Sequence, residues 1–159
     1  MDETFAERQE RENRKCWERW IACGFPSQGD IPVNKYGWFE PVLRLHCPVE
    51  KLTIFDNKGY RARIEYCHLP NGNWVAASDL TCRTHGYGSA CSVWDTQYET
   101  KEEAIMVELD RIEKALEDKD RKPFILQELQ KQRNNCKQMD IETAFEPLTQ
   151  AQFEQLALF

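Results

Sequence analysis

The dipeptide Asn71-Gly72 constrains the fold more than any other feature of this chain, because it separates two segments typical of β-strands. Residues 60–67 and 74–82 are rich in β-branched and aromatic side chains. A type I′ turn needs positive φ at both central residues, which Asn and Gly tolerate. The sequence therefore predicts a β-hairpin here, closed by a type I′ turn at Asn71-Gly72.

Further segments extend the predicted sheet. Residues 38–47 and 52–55 have strand-like composition, and a short strand is predicted around 92–95, after a loop of small residues over 84–89. Turn residues separate these segments, so antiparallel pairing is the simplest arrangement. Together with the hairpin, the pattern predicts an antiparallel sheet of four to five strands.

Three helices are predicted beside this sheet. The first spans residues 2–24 and is densely charged, with an N-cap at Asp2. The second begins at Thr100, which forms a capping box with Glu103. The apolar residues that then recur at helical spacing are Ile105, Leu109, Ile112 and Leu116. The third begins at Pro123, since proline suits a first helical turn, and runs towards position 136.

These elements divide the chain into three parts. A charged N-terminal helix occupies 1–24, an α+β domain occupies 25–136, and a flexible tail occupies 137–159. The tail is predicted because residues 138–159 contain four acids, no base and little periodicity. The predicted fold class is thus α+β, with an N-terminal helix, an antiparallel sheet, two C-terminal helices and a flexible tail.

Charge and composition exclude several classes of function. There are 27 acidic residues against 21 Lys and Arg, for a net charge of -6. This balance argues against binding to duplex DNA, because phosphate neutralisation needs a basic face. Neither a signal peptide nor a membrane-spanning run is found, so a cytoplasmic protein without membrane partners is expected. The seven cysteines lack the dense spacing of a disulfide framework, and reduced thiols are expected.

The last five residues are Gln155, Leu156, Ala157, Leu158 and Phe159. They resemble the pentapeptide by which many bacterial DNA-transaction proteins bind the β sliding clamp: Gln-Leu, a small or acidic residue, then Leu-Phe. The resemblance implies that Gln155 orients the peptide by hydrogen bonds and that Leu156 holds the extended backbone. It further implies that Leu158 and Phe159 fill an apolar pocket on the clamp. Alternatively, the side chains of Leu156, Leu158 and Phe159 fold back onto the core.

A second resemblance covers residues 60–116. Its order is strand, Asn-Gly-x-Trp turn, strand, loop, short strand and a Thr-x-Glu-Glu-Ala helix. This segment is similar to small β-sheet-plus-helix modules of phage and plasmid accessory proteins, including segments of ParB-like plasmid proteins. It is more distantly similar to HicB-type antitoxin domains. The matching residues are Tyr60, Gly72, Trp74, Ala76, Thr100, Glu103, Ala104 and Leu109. These are turn, core and cap positions, so the resemblance implies a fold and a mobile-element origin without catalytic residues.

Other candidate sites are weaker. Cys82, His85 and Cys91 could ligate zinc if neighbouring strands bring them together, as could the pair Cys67-His68. A CxxC motif is lacking, and cysteines on strands are commonly buried hydrophobes, so no metal or other cofactor is expected.

An exposed sheet face could also stack single-stranded nucleic acid. This is not favoured, since strand aromatics usually belong to the core. The aromatic and basic residues concerned are Tyr36, Trp38, Tyr60, Tyr66, Trp74, Tyr87, Trp94 and Tyr98, with Arg44, Arg61, Arg63 and Arg83 among them.

The function expected is therefore that of a non-catalytic phage or plasmid accessory protein. Residues 155–159 would bind the bacterial β sliding clamp, while the body engages or inhibits a second, unidentified host protein in DNA replication, repair or defence. Two alternatives stay open. One is a DNA-processing enzyme or subunit with a Cys/His zinc site, and the other is an accessory module that binds single-stranded nucleic acid.

Overall fold

The computed structural model describes residues 2–26 and 31–144, with the backbone alone for Leu45 and residues 139–144. In chain order the helices and strands are α1 (Phe5–Ala22), β1 (Val49–Asn57), β2 (Tyr60–His68), β3 (Trp74–Thr81), β4 (Gly86–Gly88), α2 (Lys101–Ala115) and α3 (Pro123–Ala144). Short 3₁₀ helices lie at Leu43–Leu45 and Asp118–Asp120. The strands form one antiparallel sheet in the order β1-β2-β3-β4. The predicted α+β class is confirmed.

The sheet separates two hydrophobic cores, because successive strand residues face opposite sides. The first core lies between the sheet and the helices α2 and α3. The buried residues that build it include Ile64, Leu80, Leu109, Ile112, Ile125 and Leu129. The second core lies on the other side of the sheet, beneath α1 and the segments around Leu43 and Val93. Its buried residues include Trp20, Leu43, Cys47, Cys67, Val75 and Cys91.

The hairpin between β2 and β3 is confirmed, but the predicted turn type is wrong. Gly72 has φ +93°, whereas Lys58 is the only non-glycine residue of the described chain with positive φ. The amide of Gly72 donates to the carbonyl of Leu69, as in a type I turn followed by a glycine bulge. The two positive φ values that a type I′ turn requires occur instead at Lys58 and Gly59, between β1 and β2.

Two segments predicted as strands differ in the structure. Residues 38–47 contain the 3₁₀ helix and contribute single bridges, of which Val42 to Ser92 is one. The segment 92–95 likewise pairs only through that bridge. Strand β4 lies instead within the predicted loop, since its glycines allow close approach to β3.

The helix ends also differ in detail from the prediction. Thr4, rather than Asp2, caps α1, because its side chain and that of Glu7 form a reciprocal capping box. Helix α3 continues past position 136 to Ala144, so its last turns occupy residues assigned to the tail. Residues 137–144 contain neither Gly nor Pro, the two residues that most strongly disfavour a helix interior. Within the described ranges, no helix is both long enough and apolar enough to cross a membrane.

Candidate functional site

The four predicted clamp-binding residues, Gln155, Leu156, Leu158 and Phe159, lie outside the residues that the structure describes. The described chain ends with α3 at Ala144. The site therefore remains a prediction from the sequence.

Two of the weaker metal candidates, Cys82 and His85, face each other at the end of the β3–β4 hairpin. Thr81 pairs with Gly86, and the amide of Cys82 donates to the carbonyl of His85 over 2.7 Å. Directly opposed residues of an antiparallel pair project to the same face of the sheet. That face is the one covered by α2 and α3, since Cys82 belongs to the first core.

Asp120 completes this cluster from the 3₁₀ helix that connects α2 to α3. One potential ligand atom each from Cys82, His85 and Asp120 lies within 4.8 Å of the other two. His85 Nδ1 is 3.7 Å from Asp120 Oδ2, and the Asp120 side chain is 2% exposed. Sequence reasoning missed Asp120, because the flanking charged residues made it resemble a solvated linker position.

Two neighbours hold the cluster in place. The Nε2 atom of His85 lies 3.2 Å from the carbonyl oxygen of Ala115, and the hydroxyl of Tyr60 donates to Asp120 Oδ1 over 3.1 Å. The remaining polar atoms, His85 Nδ1 and Asp120 Oδ2, are buried without a hydrogen-bond partner. Glu117 Oε1 approaches from the solvent side, 4.0 Å from Nδ1 of the histidine.

The Cys82 thiol does not have the properties of a nucleophile. It is 5% exposed, and burial raises its pKa, an effect to which the carboxylates of Asp120 and Glu117 add. A reactive thiol needs a lowered pKa and access for substrate. The arrangement of Cys, His and carboxylate side chains is instead suited to holding a metal ion.

Cys91, the third cysteine candidate, lies in the second core and is not part of this cluster. Its Sγ donates to the carbonyl of Glu65 over 3.5 Å, and it also hydrogen-bonds to Cys67. Cys67 in turn hydrogen-bonds to Cys47, so three thiols adjoin one another in the interior. Burial raises the pKa of Cys47 to about 11, which keeps this thiol protonated at neutral pH.

The sheet side opposite α2 and α3 has an open charged region beyond the second core. Arg44 Nη2 lies 2.7 Å from Glu65 Oε1, and Arg63 Nε lies 3.4 Å from Asp79 Oδ2. Lys51 and Arg61 are the other bases beside these two acids. The four bases exceed the two acids, although the chain as a whole is acidic.

The aromatic side chains of the strands are turned away from this charged region. Tyr60 is buried in the first core, and Tyr66, Trp74, Tyr87 and Tyr98 pack against that core. Stacking of single-stranded bases needs aromatic faces that are open to solvent. The strand aromatics therefore provide no stacking platform for the charged region, whereas Tyr36 and Trp94, which are 67% and 46% exposed, lie outside the strands.

Comparison of the chain with protein-family models, with curated protein sequences and with solved structures gave no match.

Proposed function

We propose that this chain is a non-catalytic accessory protein of a phage or plasmid that binds the bacterial β sliding clamp. The observation that carries the proposal is the sequence of residues 155–159, in which Gln155, Leu156, Leu158 and Phe159 match the specified positions of the clamp-binding pentapeptide. Four specified residues coincide by chance about once in a hundred thousand trials at average residue usage. The motif identifies a partner and implies no chemistry of its own.

The expected affinity follows from the two largest side chains of the motif. Burial of Leu158 and Phe159 contributes about 1.5–3 kcal/mol each, before the cost of ordering the peptide. The net free energy corresponds to a dissociation constant on the order of micromolar. Such binding suits transient recruitment to replicating DNA, or competition with other proteins for the clamp, in the cytoplasm of the host.

The folded body would engage a second host protein in replication, repair or defence. Trp17 and Ile21 lie one turn apart on α1 and remain 38% and 44% exposed. Exposed apolar side chains among polar neighbours are typical of protein contacts. The net charge of -6 adds a means of competing for the basic groove of a DNA-binding protein.

The other function classes have less support. The set Cys82, His85 and Cys91 proposed for a DNA-processing site does not come together, because Cys91 belongs to the second core, and the Cys82 thiol beside Asp120 is buried from substrate. Single-strand binding would lack stacking rings on the strands themselves, because the strand aromatics pack against the first core. Neither class is needed to account for residues 155–159.

The decisive experiment is calorimetric titration of the full chain with purified bacterial β clamp. The wild-type chain should bind with micromolar affinity, and the double variant Leu158→Ala/Phe159→Ala should lose binding at least tenfold. A matched control, Leu148→Ala/Phe153→Ala, removes the same two residue types from the preceding segment and should bind like wild type. Absence of binding by a folded wild-type chain, or equal loss in both variants, would refute the proposal.

A further inference from the structure

We propose that Cys82, His85 and Asp120 bind a zinc ion that ties the β3–β4 hairpin to the connection between α2 and α3. The proposal is independent of clamp binding. It rests on the separation of the ligand atoms, on their partners and on the burial of the cluster.

The spacing of the polar atoms fits shared ligation better than a hydrogen bond. His85 Nδ1 and Asp120 Oδ2 are 3.7 Å apart. An N–H···O hydrogen bond would be about 2.7–3.2 Å long. Two ligands of one tetrahedral zinc ion, with bonds of about 2.1 Å, lie about 3.4 Å apart. The Sγ of Cys82 lies within 4.8 Å of both atoms, so a small movement brings all three to one ion.

The neighbouring hydrogen bonds leave Nδ1 of His85 and Oδ2 of Asp120 free to ligate a metal ion. A backbone carbonyl can only accept, so the contact between His85 and Ala115 places the imidazole proton on Nε2 and leaves the lone pair of Nδ1 available. Tyr60 occupies Oδ1 of Asp120 and leaves Oδ2 without a partner. Ligating histidines commonly donate their second nitrogen to a carbonyl, and ligating carboxylates are commonly hydrogen-bonded in this way.

Because the Asp120 carboxylate is buried, a bound cation would compensate its negative charge. Asp120 is 1% exposed, and an unpartnered carboxylate oxygen in such a place is costly. The thiolate of Cys82 and the carboxylate of Asp120 would together balance the charge of Zn²⁺, with a neutral imidazole as third ligand. Thiolate and imidazole ligands favour zinc over magnesium or calcium.

The fourth coordination position faces the rim of the cluster, where Glu117 lies. Its side chain is 58% exposed, and its other carboxylate oxygen lies 3.4 Å from Lys119 Nζ. Glu117 can complete the tetrahedron from this side, which gives the four protein ligands of a structural zinc site. The ion would then join two segments distant in sequence, and this suits a structural role for a hairpin whose β4 has three residues.

The test uses the full chain, purified without chelators from cells grown with added zinc. Mass spectrometry of metals should find about one zinc per chain, as for a structural site. Replacement by cobalt should give the charge-transfer absorption of a cobalt–thiolate bond. Cys82→Ser and Asp120→Asn should lose that band and most of the metal, whereas Cys91→Ser, which removes a buried thiol of the second core, should retain both.

A folded wild-type chain that contains less than a tenth of an equivalent of zinc, and that gives no thiolate band with cobalt, would overturn the proposal. So would equal loss of metal in Cys82→Ser and Cys91→Ser. If Cys82→Ser does not fold, the melting temperature of the wild-type chain decides, since removal of zinc by a chelator should lower it and added zinc should restore it. The clamp variant Leu158→Ala/Phe159→Ala should keep its metal, so the two proposals can fail separately.

Discussion

The hydroxyl of Ser78 donates a hydrogen bond of 2.6 Å to Glu108 and thereby joins the middle of β3 to α2 inside the protein. Glu108 is 3% exposed, and Arg111 Nη1 lies 3.1 Å from its other carboxylate oxygen. Burial raises the pKa of Glu108, and the hydrogen bond from Ser78 and the charge of Arg111 oppose this rise only in part. Helix α2 is therefore fixed to the sheet through a carboxyl group that folding makes harder to ionise.

This raised pKa predicts how Glu108 affects the dependence of stability on pH. The native state holds the proton of Glu108 more tightly than the unfolded state, whose pKa has the ordinary value of 4.5. The contribution of Glu108 to the free energy of unfolding is thus largest below pH 4.5 and falls as the pH rises through the native pKa. Glu108→Gln should remove this decrease in the free energy of unfolding with rising pH. Urea unfolding from below pH 4.5 to above the native pKa of Glu108 would measure it.

The control for this measurement is Glu40→Gln, which replaces an exposed carboxylate. It should leave the pH dependence of the unfolding free energy like that of wild type. A wild-type profile that is parallel to that of Glu108→Gln would contradict the prediction.

The close packing of Gly86 against β3 predicts that a larger side chain at this position lowers stability for steric reasons. A Cβ at this position would lie 2.4 Å from the carbonyl oxygen of Leu80, and backbone atoms of β3 cannot yield without breaking the hairpin. Gly86→Ala should therefore lower the free energy of unfolding by about 1–3 kcal/mol, the usual cost of overpacking. At Gly88 the nearest atom is Asp79 Cβ, at 3.8 Å, so Gly88→Ala should change stability by about 0.5 kcal/mol or less. Equal effects of the two substitutions in denaturant unfolding would disprove this account.

The sequence indicated the hairpins and the helices well, because these depend on local chemistry. Thr100 caps α2 by accepting from the amide of Glu103 over 3.2 Å, which is one half of the predicted capping box. Strand pairing was less predictable. The apolar residues of 38–47 are accounted for without a strand, since Leu43 and Cys47 pack into the second core from a 3₁₀ helix and its end.

The candidate metal cluster could be predicted only in part. The spacing of Cys82 and His85 is local, and a two-residue hairpin loop is enough to bring their side chains together. The contribution of Asp120 is not local, because it depends on packing of the α2–α3 connection over Tyr60. In sequence, Asp118-Lys119-Asp120 has the composition of a solvated turn, and nothing there distinguishes the one buried carboxylate.

Tyr60→Phe should test the support given to Asp120. The substitution keeps the ring, over which Arg83 lies at 5.8 Å, and removes only the hydroxyl that donates to Asp120 Oδ1. The resulting buried acceptor should cost about 1–3 kcal/mol of unfolding free energy. Loss of such a neighbour should also weaken zinc binding by about 10- to 100-fold, measured by competition with a chelator. Tyr36→Phe, at an exposed ring, should alter neither quantity, and an equal effect of both variants would speak against the role of Tyr60.

The buried cysteines should resist alkylation in the native protein. Burial raises the pKa of Cys23 and of Cys47 to about 11, and the thiolate is the reactive form. Iodoacetamide at neutral pH should therefore modify these two residues slowly, whereas all seven cysteines should react in denaturant. Peptide mapping after timed alkylation would show this, and rapid modification of Cys47 in the folded chain would contradict it.

The two cores should unfold together, since β2 and β3 contribute residues to both. Leu109→Ala in the first core and Leu43→Ala in the second remove fully buried side chains, and each should lower the free energy of unfolding by about 2–5 kcal/mol. Leu126→Ala, at a side chain 37% exposed on α3, is the matched control and should cost far less. Thermal unfolding followed by circular dichroism and by tryptophan fluorescence should give one coincident transition in every variant. Two transitions, of which Leu43→Ala shifts one and Leu109→Ala the other, would mean that the cores are separate cooperative units.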